Sequence, residues 1–121
     1  MKNKNSFLIN RIKGIGYASK GAWMLLKNEA SIKVQVAIAI LVTIAGFYFH
    51  ISNVEWIMQT LTIAVVLSAE GLNSAIEEIA DFIHPEQHSK IGYLKDIAAG
   101  AVFFTAIAAV IIAGIIYIPK L

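Results

Sequence analysis

The chain has 121 residues, of which 58% are hydrophobic and only 15% are charged. Soluble globular chains carry ~45–50% apolar and ~25% charged residues, so this composition excludes a disordered chain and argues against a water-soluble monomer. No cysteine is present, which excludes disulfides, zinc–thiolate sites and thiol nucleophiles, and the net charge of +2 is too small to indicate nucleic-acid binding. We therefore predict a single integral-membrane domain over residues 1–121.

The N-terminal part of the chain is basic. Seven of the ten Lys and Arg residues lie within residues 1–33, where Glu29 is the one acid. Large apolar side chains are interspersed among these cations, which predicts an amphipathic helix over about residues 6–28. It would lie on the membrane surface with its lysines toward anionic headgroups. Three glycines leave open whether this segment is one helix or two: Gly14, Gly16 and Gly21.

Three apolar segments follow, and we predict that they span the membrane over about residues 32–51, 56–83 and 96–118. A short polar turn separates the first two, and Pro85 marks the end of the second. Lys and Arg residues concentrate before the first span and between the second and third. The positive-inside rule therefore predicts a cytoplasmic N-terminus, a cytoplasmic 84–96 loop and a C-terminus outside.

The second span carries acids that a membrane helix rarely tolerates. At ~100° per residue, five polar side chains fall within a stripe ~80° wide on one face. They are Glu70, Asn73, Glu77, Asp81 and His84. A charged carboxylate at the depth of Glu70 costs ~3 kcal/mol unless it faces protein, a cation or water. A solvated, amphipathic end of the helix accounts for Asp81 and His84. Glu70 and Glu77 point instead to a functional site.

Two more polar clusters lie at the same predicted depth. Glu29 immediately precedes the first span, and Lys95 and Asp96 immediately precede the third. Taken singly, Asp96 would stabilise a helix N-terminus and Lys95 would extend toward headgroups. Together with the stripe they suit phosphoryl transfer, which needs carboxylates for magnesium, cations along the phosphates and a base. Glu29 and Glu77 could hold the metal, and Glu70 could act as the base.

Four motifs resemble those of the small bacterial membrane diacylglycerol kinase family, which includes undecaprenol kinases. They are Gly16-Tyr17-Ala18-Ser19-Lys20-Gly21, Asn28-Glu29-Ala30, the segment from Glu70 to Glu77 (EGLNSAIE), and the segment from Lys95 to Val102 (KDIAAGAV). The resemblance extends from about residue 7 to the end of the chain. It implies an all-α membrane protein with three transmembrane helices and an N-terminal surface helix, assembled as a homotrimer with shared active sites in the bacterial cytoplasmic membrane.

The resemblance also implies residue roles. Glu70 matches the catalytic base and Asn73 an amide that supports the reacting centre. Glu29 and Glu77 match metal-binding carboxylates that also contact the nucleotide. The further nucleotide contacts match Lys95, Asp96, Lys13 and Tyr17. The implied co-substrate is ATP with Mg²⁺, and the implied acceptor is a membrane lipid alcohol.

The sequence departs from the common family pattern at three places: Gly71, Tyr93-Leu94, and the loop from His84 to His88. Gly71 would loosen the helix beside the expected base. A small-residue row on the third span favours close helix packing and thus an oligomer, although a lipid-facing alanine stripe would look the same. Its members are Ala101, Thr105, Ala109 and Ala113.

The expected function is therefore an ATP-dependent lipid kinase acting on undecaprenol or diacylglycerol. Peripheral residues, Val54-Glu55-Trp56 and the Ile-Pro-Lys-Leu ending, favour undecaprenol slightly. Two other hypotheses remain open at this point. One is a small ion or proton transporter that uses the acidic stripe as a relay. The other is a catalytically silent family member.

Overall fold

A computed structural model describes residues 4–121 and folds them into four helices. The helices are α1 (Lys4–Asn28), α2 (Ala30–Tyr48), α3 (Asn53–Ile83) and α4 (Ser89–Tyr117), and a 3₁₀ turn (Ile118–Lys120) follows α4. No strand occurs within residues 4–121. The all-helical class predicted from the sequence is thus confirmed.

The helix boundaries agree with the turn and proline signals in the sequence. α3 ends at Ile83, two residues before Pro85, and α2 ends at Tyr48, ahead of the predicted end at 51. α1 runs unbroken through its three glycines, so the one-helix alternative is correct. A glycine in a helix costs only ~1 kcal/mol relative to alanine, which a helix of this length tolerates.

Two helices are long and apolar enough to cross a membrane: α2, and α4 with its terminal turn (Ser89–Lys120). In the most apolar window of each, only 11% and 6% of the residues are buried, unlike the mostly buried core helix of a soluble protein. α3 does not meet the same criterion, because acids occupy the half that follows Ala69. The second predicted span, 56–83, therefore stays a prediction.

A tight turn joins α2 to α3. His50 adopts φ 52°, the left-handed region, while its N–H donates to the Phe47 carbonyl and that of Ile51 to the Gly46 carbonyl. This is the Schellman arrangement, which satisfies the last carbonyls of a helix. Ser52 then begins α3 with a capping box: its hydroxyl accepts from the Glu55 N–H, and the Glu55 carboxylate accepts from the Ser52 N–H. We call this end of the molecule, with the 3₁₀ turn, the turn end.

Two sets of contacts hold α2, α3 and α4 together at the turn end. Trp56 lies directly on Gly46, where a Cβ would meet its ring at 2.6 Å. Gln59 is 5% exposed, and its amide donates to the Val42 carbonyl at 3.1 Å. The Tyr117 hydroxyl donates to Gln59 Oε1 at 2.6 Å and lies 2.9 Å from the same carbonyl. These contacts fix the antiparallel register of the three helices.

Candidate active site

The acidic stripe of α3 lies at the other end of the molecule, which we call the acidic end. Glu70 and Asn73 are half-buried, and Glu77 and Asp81 are exposed. The Asn73 amide nitrogen donates to Glu77 Oε1 at 3.3 Å. Its oxygen Oδ1 is buried and has no hydrogen-bond donor. A buried acceptor without a donor costs ~1–3 kcal/mol, so this oxygen is unsatisfied within the single chain.

Glu29 occupies the joint between α1 and α2. Its backbone is extended (φ −105°, ψ 116°), which breaks the helix at that residue, and its side chain makes no capping hydrogen bond. The carboxylate is half-buried. Among residues 4–121, neither Glu29 nor Glu70 has a side-chain hydrogen bond or an ion pair. Both carboxylates are therefore available to a cation or a substrate.

The helix register brings Glu29 level with the stripe. Gln59 meets Val42 across the antiparallel pair, so the residue opposite Glu29 lies thirteen positions beyond Gln59, between Glu70 and Asn73. A contact between α1 and α3 supports this register. Leu25 lies so close to Gly71 that a Cβ on the glycine would be 3.1 Å from Leu25 Cδ1. Gly71, which the sequence suggested would loosen α3, instead allows the end of α1 to pack beside Glu70.

Lys95 lies farther along the stripe. Its Nζ donates to Asp81 Oδ1 at 2.5 Å, and the Glu77 carboxylate also acts electrostatically on this ammonium. Small buried residues, Ala80 on α3 and Ala98 on α4, let the two helices approach here. Asp81 is eleven residues beyond Glu70, ~16 Å along α3. Lys95 thus joins the distal half of the stripe rather than Glu70 itself.

The remaining predicted nucleotide contacts stay apart from the stripe within one chain. Lys13 and Tyr17 are exposed on α1, with Tyr17 eight residues before Leu25, ~12 Å along that helix. Their four-residue spacing puts them on one face of α1. Asp96 is exposed and follows the paired Lys95. The fold therefore pairs Asn73 with Glu77 and Lys95 with Asp81 along the stripe, and the helix register puts Glu29 at the level of residues 70–73.

Sequence reasoning missed the role of Asp81, which it treated as a solvated residue. Asp81 is the partner of Lys95. α3 and α4 are antiparallel and joined by the short segment 84–88, with Asp81 three residues before it and Lys95, a long side chain, seven residues after it. Opposite charges at 81 and 95 were a signal for the pair.

The oxygen-rich set fits a magnesium ion bound with a nucleotide. Magnesium prefers oxygen ligands, keeps several waters, and is usually held by one or two carboxylates and substrate phosphates. Glu29 and Glu77 supply carboxylates, and Asn73 supplies the buried oxygen without a donor. Within residues 4–121 no three His, Asp or Glu side chains form a ready metal cluster.

Residues 4–121 are thus all-helical outside short connections, with two apolar, exposed helices long enough to cross a membrane and a row of carboxylates beside a lysine. Comparison with known proteins identifies its family. The profile of the prokaryotic diacylglycerol kinases matches residues 16–117, and the chain belongs to this family of membrane lipid kinases. It is an enzyme of the kinase type.

Individual relatives cover nearly the whole chain. An undecaprenol kinase of Bacillus subtilis (strain 168) is 37% identical over 114 residues, 93% of each chain. A diacylglycerol kinase of Escherichia coli (strain K12) is 30% identical over 111 residues, 92% of this chain and 91% of the relative. A diacylglycerol kinase of Synechocystis is 28% identical over 98% of this chain and 69% of the relative. The predicted family and the lipid kinase function are thus confirmed.

Proposed function

We propose that the enzyme transfers the γ-phosphate of ATP to the hydroxyl of undecaprenol, with Glu70 as the base. The observation that carries the site assignment is Asn73: its buried Oδ1 lacks a donor while its amide is tied to Glu77, level with Glu29. One half-buried carboxylate, Glu70, then remains unpaired one turn away, at the end of the stripe where an acceptor hydroxyl can approach from the bilayer.

The proposed chemical step moves the γ-phosphoryl group of ATP to the acceptor hydroxyl. The acceptor hydroxyl donates a hydrogen bond to the Glu70 carboxylate, and its oxygen attacks the γ-phosphorus. A bond forms between this oxygen and phosphorus, and the bond from phosphorus to the β,γ-bridging oxygen breaks, so ADP leaves. Glu70 takes the hydroxyl proton.

Glu29, Glu77 and Asn73 would hold the magnesium ion that accompanies the nucleotide. When bound, this ion neutralises phosphate charge as it develops on the leaving group. The Asn73–Glu77 hydrogen bond would orient the amide of Asn73 and the carboxylate of Glu77 before the nucleotide arrives. This would reduce the reorganisation required during the reaction. Lys95, held by Asp81, would contact the nucleotide at the distal half of the stripe, together with Asp96.

Lys13 and Tyr17 would approach the nucleotide from a neighbouring copy or by a movement of α1. We propose a homotrimer with shared active sites, in which a neighbouring copy would bring these residues to the nucleotide. Apolar side chains on the face of α3 opposite the stripe support packing between copies, because Leu72, Ile79 and Phe82 are 67%, 57% and 90% exposed in the single chain. Each copy would cross the membrane three times, with α2, α3 and α4, and α1 would lie on the membrane surface.

The proposed location is the bacterial cytoplasmic membrane, with the N-terminus and the 84–96 loop in the cytoplasm and the C-terminus outside. The distribution of Lys and Arg supports this orientation. It also puts the acidic end, and hence the nucleotide, on the side where ATP is made.

Undecaprenol is the proposed acceptor because a relative named undecaprenol kinase is 37% identical to the chain. Diacylglycerol is the second candidate, since relatives at 30% and 28% identity carry that name. Both are lipids with one primary hydroxyl at the membrane surface, so the same carboxylate would serve either.

Phosphate transfer from labelled ATP to each lipid in mixed micelles tests this proposal. We expect undecaprenol to be labelled faster, and Glu70→Gln to abolish labelling while the protein remains folded. The matched control is Glu78→Gln, an exposed acid on the same helix that lies off the stripe. Full activity of Glu70→Gln would overturn the base assignment, and faster labelling of diacylglycerol would overturn the choice of acceptor.

A further inference from the structure

Two polar side chains are buried within residues 4–121, and they differ in their hydrogen bonding. Gln59 is 5% exposed, and its amide is bonded to the Val42 carbonyl and the Tyr117 hydroxyl. Ser74 is 6% exposed, and its hydroxyl has no hydrogen-bond partner among residues 4–121. A hydroxyl withdrawn from water and unpaired destabilises a fold, and alanine would fill nearly the same space. Packing of α3 alone therefore does not explain the serine.

Other hydroxyls on the helices are satisfied locally. Ser19, Thr43 and Thr62 each donate to the carbonyl four residues earlier, at 2.9, 2.7 and 2.7 Å. Ser74 could donate to the Glu70 carbonyl in the same way, but it does not. The other serines and threonines without a hydrogen bond within residues 4–121 are all exposed: Ser31, Thr60, Ser68 and Ser89. Ser74 is thus distinguished by being both buried and unpaired.

Ser74 lies beside the proposed base. It follows Glu70 by four residues, so the two side chains are neighbours ~40° apart around α3. The half-buried Glu70 carboxylate also lacks a hydrogen bond and an ion pair among residues 4–121. The next carboxylate of the stripe, Glu77, already accepts from Asn73. An unpaired donor and an unpaired acceptor therefore share one turn of α3.

We infer that Ser74 is a positioning residue for the transfer, donating a hydrogen bond from its hydroxyl to the Glu70 carboxylate when the acceptor lipid binds. This inference rests on the proposed function. One carboxylate oxygen would accept from Ser74, and the other would face the acceptor hydroxyl. The two groups are not bonded within the single chain, and catalytic hydrogen bonds often tighten only when substrate binds. A base oriented by a third group in this way is held near its reactive geometry.

Ser74→Ala separates the hydroxyl from the space that it fills. We expect kcat to fall ~10-fold, by the same factor for undecaprenol and diacylglycerol, because Ser74 would act through Glu70 and not on the lipid. The KM values for ATP and for each lipid should not change. The Tm in detergent should be unchanged or higher, because the variant removes an unpaired buried hydroxyl. The matched control is Ser68→Ala, an exposed serine on another face of α3, which should equal the wild type.

Two further variants test whether the effect comes from the hydroxyl and passes through Glu70. Ser74→Thr keeps a hydroxyl and should exceed Ser74→Ala in kcat. Glu70→Asp shortens the side chain by one methylene and withdraws the carboxylate from Ser74. Adding Ser74→Ala to Glu70→Asp should therefore slow the enzyme by a smaller factor than Ser74→Ala does in the wild type.

Steady-state kinetics and thermal unfolding of the purified full-length variants in mixed micelles decide between the outcomes. Full activity of Ser74→Ala beside an inactive Glu70→Gln would overturn the role of Ser74 and leave the proposed base intact. Full activity of Glu70→Gln would overturn both. A fall in kcat accompanied by a lower Tm and a raised KM for ATP would mark a packing residue and overturn the positioning role. So would a Ser74→Thr variant no faster than Ser74→Ala, or independent effects of Ser74→Ala and Glu70→Asp.

Discussion

Lys95 of α4 donates a 2.5 Å hydrogen bond to Asp81 of α3, across the segment 84–88 that joins the two helices. The pair sets where the lysine points before any nucleotide is present. Its members are 35% and 58% exposed, so water screens the attraction and its effect on stability is small. Its main consequence is for binding, because Lys95 is the cation of the proposed site.

Removing the partner of Lys95 should weaken nucleotide binding without unfolding the protein. We expect Asp81→Asn to raise the KM for ATP by no more than about fivefold, because a partly exposed ion pair holds the lysine only weakly. Lys95→Ala should have a larger effect on the same constant. The check is steady-state kinetics together with thermal unfolding in detergent; an unchanged KM for ATP in both variants would remove Lys95 from the nucleotide site.

Glu77→Gln should alter the magnesium dependence of the reaction. The change keeps the shape of the side chain and its oxygen facing the Asn73 amide but removes a charged ligand. The magnesium concentration for half-maximal activity should rise ~10-fold or more, with a lower maximal rate. Glu78→Gln, one residue away and off the stripe, is the control. A magnesium titration that matched the wild type would end the metal assignment of Glu77.

Gly71→Ala should lower activity while stability is unchanged or improved. Alanine favours a helix interior by ~1 kcal/mol over glycine, but its Cβ would lie 3.1 Å from Leu25 Cδ1. Leu25 must then shift by a few tenths of an ångström, and the joint that carries Glu29 shifts with it. We expect about a fivefold loss of kcat, because a full 1 Å misplacement costs ~100-fold.

The double variant Leu25→Ala/Gly71→Ala gives this prediction its control. Removing the leucine methyls creates room for the new Cβ and should restore most of the lost kcat. Leu26→Ala, on an exposed neighbouring residue, should not restore it when combined with Gly71→Ala. A double variant no more active than Gly71→Ala alone would show that the contact does not set the position of Glu29.

Tyr117→Phe should destabilise the turn end without touching the chemistry. The variant deprives the buried Gln59 of its hydroxyl donor and loosens the link between α3 and α4. The expected loss is ~0.5–1.5 kcal/mol of unfolding free energy, as for hydrogen bonds in general. Tyr48→Phe, on a side chain that is 76% exposed, is the control. Equal unfolding transitions for the two variants would contradict a stabilising role for the Tyr117 hydroxyl.

The sequence predicted the helices and the stripe well, because both follow from local pattern. Pro85 and the polar segment after Phe49 mark helix ends, and helical periodicity alone aligns Glu70, Asn73 and Glu77. Contacts between helices were harder to predict. The Lys95–Asp81 and Tyr117–Gln59 pairs depend on the register of α3 against α4, which packing at Ala80 and Ala98 helps to set. Neither helix encodes that register in its own composition.

The turn end carries an ion pair between Glu55 and Lys120 that lies outside the predicted spans. A hydrogen bond from Lys120, with further hydrogen bonds from Ser52, lowers the pKa of Glu55 below its usual value of 4.5. The folded state thus binds this proton less tightly than the unfolded state. The pair therefore stabilises the fold above the usual glutamate pKa, and its contribution disappears as pH falls through the lowered value. Glu55→Gln should accordingly lower the Tm at neutral pH and converge with the wild type in acid.

Glu86→Gln, on an exposed residue of segment 84–88 without an ion pair among residues 4–121, should parallel the wild type throughout. A constant Tm difference between Glu55→Gln and wild type across the acid range would contradict the assignment, because only a titrating carboxylate makes the two curves meet.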